Sequence, residues 1–246
     1  MNDYFYEVFE NIPRQGPGLN ESTRKAFNFI KSQLPSQPEI LDIGCGKGVQ
    51  TLELAHISKG RITAADNHQP FLDHLEKEAI KSGLSKKISC LNANMAQLPF
   101  NSHTYDVIWS EGAVFIIGIM EGLKQWKKFL KKGGFLILSD LVWLKDERPD
   151  ELTHHFKNEG IVVFSIDQIL EVANQEGYTL IDHFTLPNKG WLEMYIIPLQ
   201  KTIATLRDKY VDNTEALDTI QSLEYENQLV KKYLDYCGYE FFIWKY

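Results

Sequence analysis

Seven residues constrain this chain more than any others: Asp42-Ile43-Gly44-Cys45-Gly46-Lys47-Gly48, set between the apolar pair Ile40-Leu41 and a helical run from Val49 to Ile57. The flanks read as a short buried strand and a helix. Three glycines alternating across the join describe a bend in which the backbone takes positive φ and a ligand comes close to it. The bend opens into a helix N-terminus, whose free N–H groups favour a negatively charged group, carboxylate or phosphate alike. The spacing excludes two other glycine loops. A dinucleotide fingerprint needs glycine at position 49, where Val49 stands. A Walker-type loop needs Ser or Thr after Lys47, where Gly48 stands.

Around this bend the chain alternates. Segments 40–43, 61–66, 88–93, 106–110 and 135–139 read as short strands with near-continuous apolar cores. Segments 49–57, 70–83 and 122–132 read as helices; Pro70 opens the second, and Gly133-Gly134 closes the third. Strands separated by helices imply crossovers, a parallel sheet and two covered faces. After Asp140 the alternation breaks. Residues 141–160 read as a charged, partly helical insertion. Ser165 with Gln168 is a capping box for a further helix that Gly177 ends. Segment 178–184 is a strand, 191–199 is read as aromatic and extended, and 202–210 and 214–236 are read as helices. Residues 239–246 form a last strand. Before the sheet, 23–34 is helical, and an aromatic cluster (Tyr4, Phe5, Tyr6, Phe9) precedes the loop Arg14-Gln15-Gly16-Pro17-Gly18.

The 246 residues suit one α/β domain with additions, and 43% hydrophobic with 12% aromatic residues builds a core, which excludes global disorder. A net charge of −7 argues against a nucleic-acid backbone as the main partner. The longest apolar stretch, from Ala113 to Met120, is far short of a bilayer span, and no export signal is read at the N-terminus. The three widely spaced cysteines include no Cys-x-x-Cys, so neither a disulfide framework nor a structural zinc site is expected. These readings together describe a reduced, cytoplasmic protein with no metal and no membrane partner.

Asp66 ends the second strand, where a carboxylate either accepts hydrogen bonds from a ribose diol or caps the next helix. Asn94, in Asn92-Ala93-Asn94-Met95 after the third strand, offers the donor and acceptor that read an adenine edge, or serves as an ordinary turn asparagine. Ser110-Glu111-Gly112 closes the fourth strand at the carboxyl edge of the sheet, where open α/β folds bind ligands. In order and spacing these four signals resemble the class I S-adenosylmethionine-dependent methyltransferase family, over roughly residues 36–184. Asn94 stands where that family usually has an acidic residue, and Lys132-Gly133-Gly134 before the fifth strand is typical of it. Arg14–Gly18 and Trp109–Ala113 are similar to bacterial members of undefined substrate.

The resemblance implies a doubly wound, mostly parallel seven-stranded sheet whose last strand, 239–246, is antiparallel. It implies one domain with an N-terminal helical lid (1–34), a cofactor-binding core (36–140) and a substrate side (141–246). S-adenosylmethionine contacts are expected at Asp42, Gly44, Cys45, Gly46, Asp66, Asn67, Asn94, Met95 and Ser110. The reaction implied is in-line methyl transfer to a small-molecule acceptor, with a cofactor-binding module lacking transfer activity as the alternative. Glu111 is the candidate acid or base, against a structural carboxylate. If 191–199 is extended, Trp191, Glu193 and Tyr195 share one face and form a substrate wall; core packing is the other reading. His103, His154 and His155 read as surface histidines. The Tyr4–Phe9 cluster is either a lid or a helix packed on the sheet.

Overall fold

The computed structural model describes residues 2–246. Ahead of the sheet lie α1 (Asp3–Glu10) and α2 (Asn20–Ile30). The alternating core follows as β1 (Glu39–Ile43), α3 (Val49–Ile57), β2 (Arg61–Asp66), α4 (Gln69–Lys81), β3 (Ile88–Asn92), β4 (Tyr105–Glu111), α5 (Ile119–Trp126) and β5 (Leu130–Trp143). Beyond it come α6 (Asp150–Asn158), the two-residue β6 (Phe164–Ser165), α7 (Ile166–Gln175) and β7 (Thr179–Thr185). Then come α8 (Asn188–Trp191), α9 (Ile197–Lys209), α10 (Thr214–Lys232) and β8 (Cys237–Lys245).

The sheet runs β3-β2-β1-β4-β5-β8-β7, with β6 beside the end of β5. Pairs from β3 to β5 are parallel; β8 is antiparallel to both β5 and β7. This is the expected sheet with one short strand added. The connection leaving β1 runs to β2 and the one leaving β4 runs the other way to β5, so a crevice opens between β1 and β4 at the carboxyl edge, the switch point of a doubly wound sheet.

Side-chain alternation on the strands builds two cores. Ile40, Ile62, Val107, Ile137 and Phe241 pack under α2, α3 and α4, while Leu41, Ile108, Leu136, Leu138 and Phe242 pack under α5 and α7. A third cluster lies off the sheet: Val8 and Phe9 of α1 meet Leu199 and Ile203 of α9 and Ile220 of α10. The N-terminal helix is thus docked on the C-terminal helices, above the carboxyl edge, and not on the sheet face.

Three expectations need correcting. Residues 191–199 are not extended: α8 runs through a π-helical turn (Leu192–Ile196) into α9. Trp191, Tyr195 and Leu199 fit the helical four-residue step as well as the two-residue one, which is why the period misled. Pro198 has no N–H to give, and its ring would crowd the carbonyl four residues back, so a wider turn before it relieves the clash. The helix read over 122–132 ends at Trp126, and β5 begins at Leu130, before the glycine pair. There a register shift between Tyr105 and Val107 takes up the extra residues. The helix read over 214–236 ends at Lys232.

Candidate functional site

A cavity of about 760 Å³ opens above the carboxyl edge, and its wall falls into two halves. One is built from the loop after β1, the ends of β2 and β3, and the segment after β4: Gly44, Cys45, Gly46, Asp66, Asn67, Asn94 and Met95 all line it. The other is built from the helical cap and the ends of β5 and β8.

The glycine loop is shaped by its own hydrogen bonds. Gly44 N and Cys45 N donate to Ala65 O at 2.8 and 3.1 Å, and Gly48 N to Cys45 O at 3.0 Å. Gly46 N donates to Asp66 Oδ2 at 2.8 Å, and Lys47 N to Gln15 Oε1 at 2.8 Å. The loop amides are therefore engaged, and only the start of α3, which no side chain caps, matches the expected anion-favouring field. Gly44 has φ +70°, and a Cβ there would lie 2.3 Å from Ala113 Cβ. Glycine is needed because the segment after β4 crosses directly against the bend.

Asp66 accepts from Gly46 N and, at 3.0 Å, from His68 N. Burial raises its carboxyl above the usual range, and those backbone donors oppose the rise. Two of a carboxylate's roughly four lone-pair positions are filled this way, leaving two for a diol. Asn94 Oδ1 accepts from Ala96 N at 2.9 Å in an Asx turn on the cavity wall. Cys45 is a buried thiol whose pKa is pushed well up by burial, so it contributes shape rather than nucleophilicity.

Three expected residues do not face the cavity. Ser110 is fully buried and donates to Ile43 O at 2.9 Å, tying β4 to β1. Asp42 lies behind the loop, accepting from Thr51 Oγ1 at 2.5 Å. Its Oδ1 has no partner among the described residues, and burial raises its pKa to about 7. Glu193 points to solvent, 59% exposed, with Lys189 Nζ at 4.0 Å. Trp191 and Tyr195, by contrast, are one helical turn apart on the cavity wall.

Glu111 does line the cavity, but its carboxylate is occupied. Oε2 pairs with Arg14, and Oε1 accepts from Thr23 Oγ1 at 2.7 Å and Trp109 Nε1 at 2.9 Å. It anchors Arg14 and is not poised as an acid or base. Arg14 Nη1 is buried and unpartnered, a donor left on the cavity wall. His155 also departs from the expectation: it is 8% exposed and sits outside the cavity, its ring 5.4 Å from Tyr225.

The N-terminal segment closes the first half. Lys47 Nζ donates to Glu10 O and Ile12 O, both at 3.0 Å, and Gln15 Nε2 donates to Phe9 O and Ile12 O at 3.1 and 3.2 Å. Tyr6 stacks on His68, with ring centroids 4.1 Å apart. Phe5, Tyr6, Phe9 and Arg14 to Pro17 line the cavity roof.

Residues 40–134 match the family described as a methyltransferase domain. The matched segment spans the glycine loop, the end of β2 and the turn after β4, the elements that make the first half of the cavity. Over 148 residues the chain is 30% identical to ribosomal protein L11 methyltransferase of Thermosipho africanus, covering 60% of this chain and 52% of that one. Over 222 residues it is 23% identical to cycloartenol-C-24-methyltransferase 1 of rice (Oryza sativa subsp. japonica), covering 85% and 64%. The chain thus spans half to two-thirds of the length of these curated relatives. A methyltransferase from Geobacter sulfurreducens, solved with S-adenosyl-L-homocysteine, superposes with TM-score 0.82 at 16% identity over 99% of this chain and 98% of that one, which shows a common fold.

In the second half of the cavity lie residues that sequence reasoning passed over: Asp140, Tyr239, Glu226 and Asn227 beside Trp191 and Tyr195. Asp140 was findable. It ends the apolar run of β5, as Glu111 ends that of β4. Nothing in the sequence points to Glu226 or Asn227, because they sit in a mixed-polarity helix whose facing partner is set by tertiary packing.

Proposed function

We propose that this protein transfers a methyl group from S-adenosylmethionine to a small-molecule acceptor, in a cytoplasmic setting. The continuity of the cavity carries the reading: one half has the domain's loop-and-acid construction, and the other opens from it under the helical cap. The groups present fit the donor. Asp66 keeps two acceptor positions for a ribose diol, and Asn67 stands beside it. Asn94 and Met95 flank the place for a base. Arg14 Nη1, unpartnered and buried, suits the carboxylate of the methionine moiety. Gly44 and Gly46 let Ala113 and Gln15 close directly against the bend.

When bound, S-adenosylmethionine supplies a methyl group on a positively charged sulfur, whose departure as a neutral thioether needs no acid. The chain's own work is then positioning and exclusion of water. Arg14, held by Glu111, fixes one end, and Asp66, held by two backbone N–H groups, fixes the other. The roof of Phe5, Tyr6 and Phe9, strapped down through Gln15 and Lys47, keeps water from the reacting line. A cytoplasmic setting is supported by three cysteines that form no bridge among the described residues. A small molecule is favoured over a nucleic acid because the cavity wall carries five carboxylates and a single guanidinium, a field that repels phosphates.

The test is a metabolite extract incubated with isotopically labelled methyl donor. The expected result is a labelled product with matching release of S-adenosylhomocysteine. Binding of the donor with neither label transfer nor release would make this a binding module without transfer.

A further inference from the structure

Five carboxylates face the cavity: Asp66, Glu111, Asp140, Glu159 and Glu226. Asp66 is held by loop amides and Glu111 by Arg14, Thr23 and Trp109. Among the described residues neither Asp140 nor Glu226 has any ion-pair or side-chain hydrogen-bond partner, although Asp140 is only 6% exposed. Asn227, 4% exposed and on the same wall, has an unpartnered Oδ1. Trp191 Nε1 is a buried, unpartnered donor on the same wall, yet among the described residues this half of the cavity carries a surplus of hydrogen-bond acceptors and no lysine or arginine. Unpaired buried carboxylates are costly to keep charged, and a donor-rich, positively charged occupant offsets that cost.

The walls fit the same occupant. Trp191 packs edge-on against Tyr239 with ring centroids 4.8 Å apart, and Tyr195 stands 6.4 Å from Trp191. Aromatic faces with carboxylates between them attract ammonium groups. Around this polar end the lining is apolar (Phe156, Phe164, Leu223 and Val230). The lip carries Phe115, Ile116 and Val162, more than half exposed.

Resting on the transfer reading above, we infer that the acceptor is an amine with an apolar body, bound as an ammonium between Asp140 and Glu226 and deprotonated by Asp140. Asp140 is chosen over Glu226 by position. It lies within β5 next to Ser139, whose O and Oγ accept the Gly112 N–H at 3.0 and 3.1 Å, so it stands where the two halves of the cavity meet. Glu226 sits in the helical cap and supplies charge. In the step, the ammonium gives one proton to the Asp140 carboxylate. The freed nitrogen lone pair forms the N–C bond to the methyl carbon as the S–C pair returns to sulfur. The products are a methylated ammonium and neutral S-adenosylhomocysteine, and Asp140 later releases its proton to water.

The groups around Asp140 agree with a base. Its register partner on β8, Glu240, is taken up by His183 and Thr185. Tyr239, Tyr195, Glu226 and Arg14 surround the same space, and both phenols are held neutral by burial. Burial raises the Asp140 pKa to about 7, in the range where a carboxylate exchanges protons near neutrality.

The experiment titrates octylamine, octanol and octanoate into full-length protein saturated with S-adenosylhomocysteine, by calorimetry. Octylamine is expected to bind at least about tenfold tighter than octanol, with octanoate weaker still. Asp140→Asn and Glu226→Gln should each weaken octylamine by at least about fivefold while leaving S-adenosylhomocysteine affinity within about twofold, which also shows that the variants fold. Octylamine stays charged from about pH 6 to 8, so its affinity should rise across that range in the wild type and flatten in Asp140→Asn. Equal binding of octanol and octylamine overturns the inference, as does loss of S-adenosylhomocysteine binding in Asp140→Asn, which would give that carboxylate to the cofactor. A pH dependence that persists in Asp140→Asn removes Asp140 as the base. Failure of the wild type to bind S-adenosylhomocysteine at all would instead strike the transfer reading.

Discussion

A carboxylate that already holds three donors cannot take a proton from a substrate without giving one of them up, and Glu111 is in that position. Its pairing with Arg14 is almost fully buried, so the two residues stand or fall together. Replacing Arg14 by Met leaves Glu111 charged and short of its strongest partner, which should cost about 3–5 kcal/mol in urea unfolding. Arg14→Met with Glu111→Gln should recover most of that loss. A double variant no more stable than the single one would contradict the coupling. Gly44→Ala places a methyl against Ala113 at positive φ, and should destabilise by at least about 1–2 kcal/mol in the same assay. At this scale the sequence announced the bend, Asp66, Asn67, Asn94 and Met95, because each follows directly from a strand end at the carboxyl edge. Asp42, Ser110 and Glu193 were misplaced for one reason: position along a strand or helix says which edge a residue is near, and only packing says which way its side chain turns. Ser110 turns toward the Ile43 carbonyl, Asp42 toward Thr51, and Glu193 toward solvent.

The segment from α1 to Gly18 behaves as a strap whose fastening is chemical. Gln15 bridges three backbone groups: it accepts from Lys47 N on the glycine loop and donates to Phe9 O and Ile12 O on the strap. Gln15→Ala removes all three while leaving the Arg14–Glu111 pair intact, which makes it a cleaner probe than deleting residues 1–18. It should weaken S-adenosylmethionine by roughly threefold to thirtyfold, about one to two hydrogen bonds, and speed proteolytic cleavage before residue 18. Unchanged affinity would leave α1 as a packing helix only. The sequence offered both readings of the aromatic cluster and had no means to separate them, since its docking surface, Leu199, Ile203 and Ile220, lies almost two hundred residues away. Strands and helices of the alternating core were legible because buried apolar runs and glycine or proline stops agree there. The α8–α9 stretch was not, because Trp191, Tyr195 and Leu199 satisfy both periods and Pro198 hides a helix that continues through a π turn.

Across the whole molecule, acidity and stability are linked through the site. Asp42 and Asp140 both have pKa values raised by burial to about 7, against about 3.9 in an unfolded chain. Between about pH 4 and 7 the unfolded chain sheds protons that the folded chain keeps, so these two groups lower stability as pH rises through that window, and level off above it. Asp140→Asn should therefore match the wild type near pH 4 and exceed it near pH 8, by an amount on the order of 1–4 kcal/mol in urea unfolding. An Asp140→Asn protein less stable than wild type at pH 8 would contradict an unpaired, desolvated carboxylate. The central claim is that the crevice between the glycine loop and Asp66 holds S-adenosylmethionine. Calorimetric titration of that molecule into wild type and Asp66→Asn tests it most directly. One site per chain is expected in the wild type, weakened by roughly ten- to hundredfold in the variant, as for loss of a charge-assisted hydrogen-bond pair. A folded wild type that binds none, or an Asp66→Asn protein that binds as well as wild type, would contradict it.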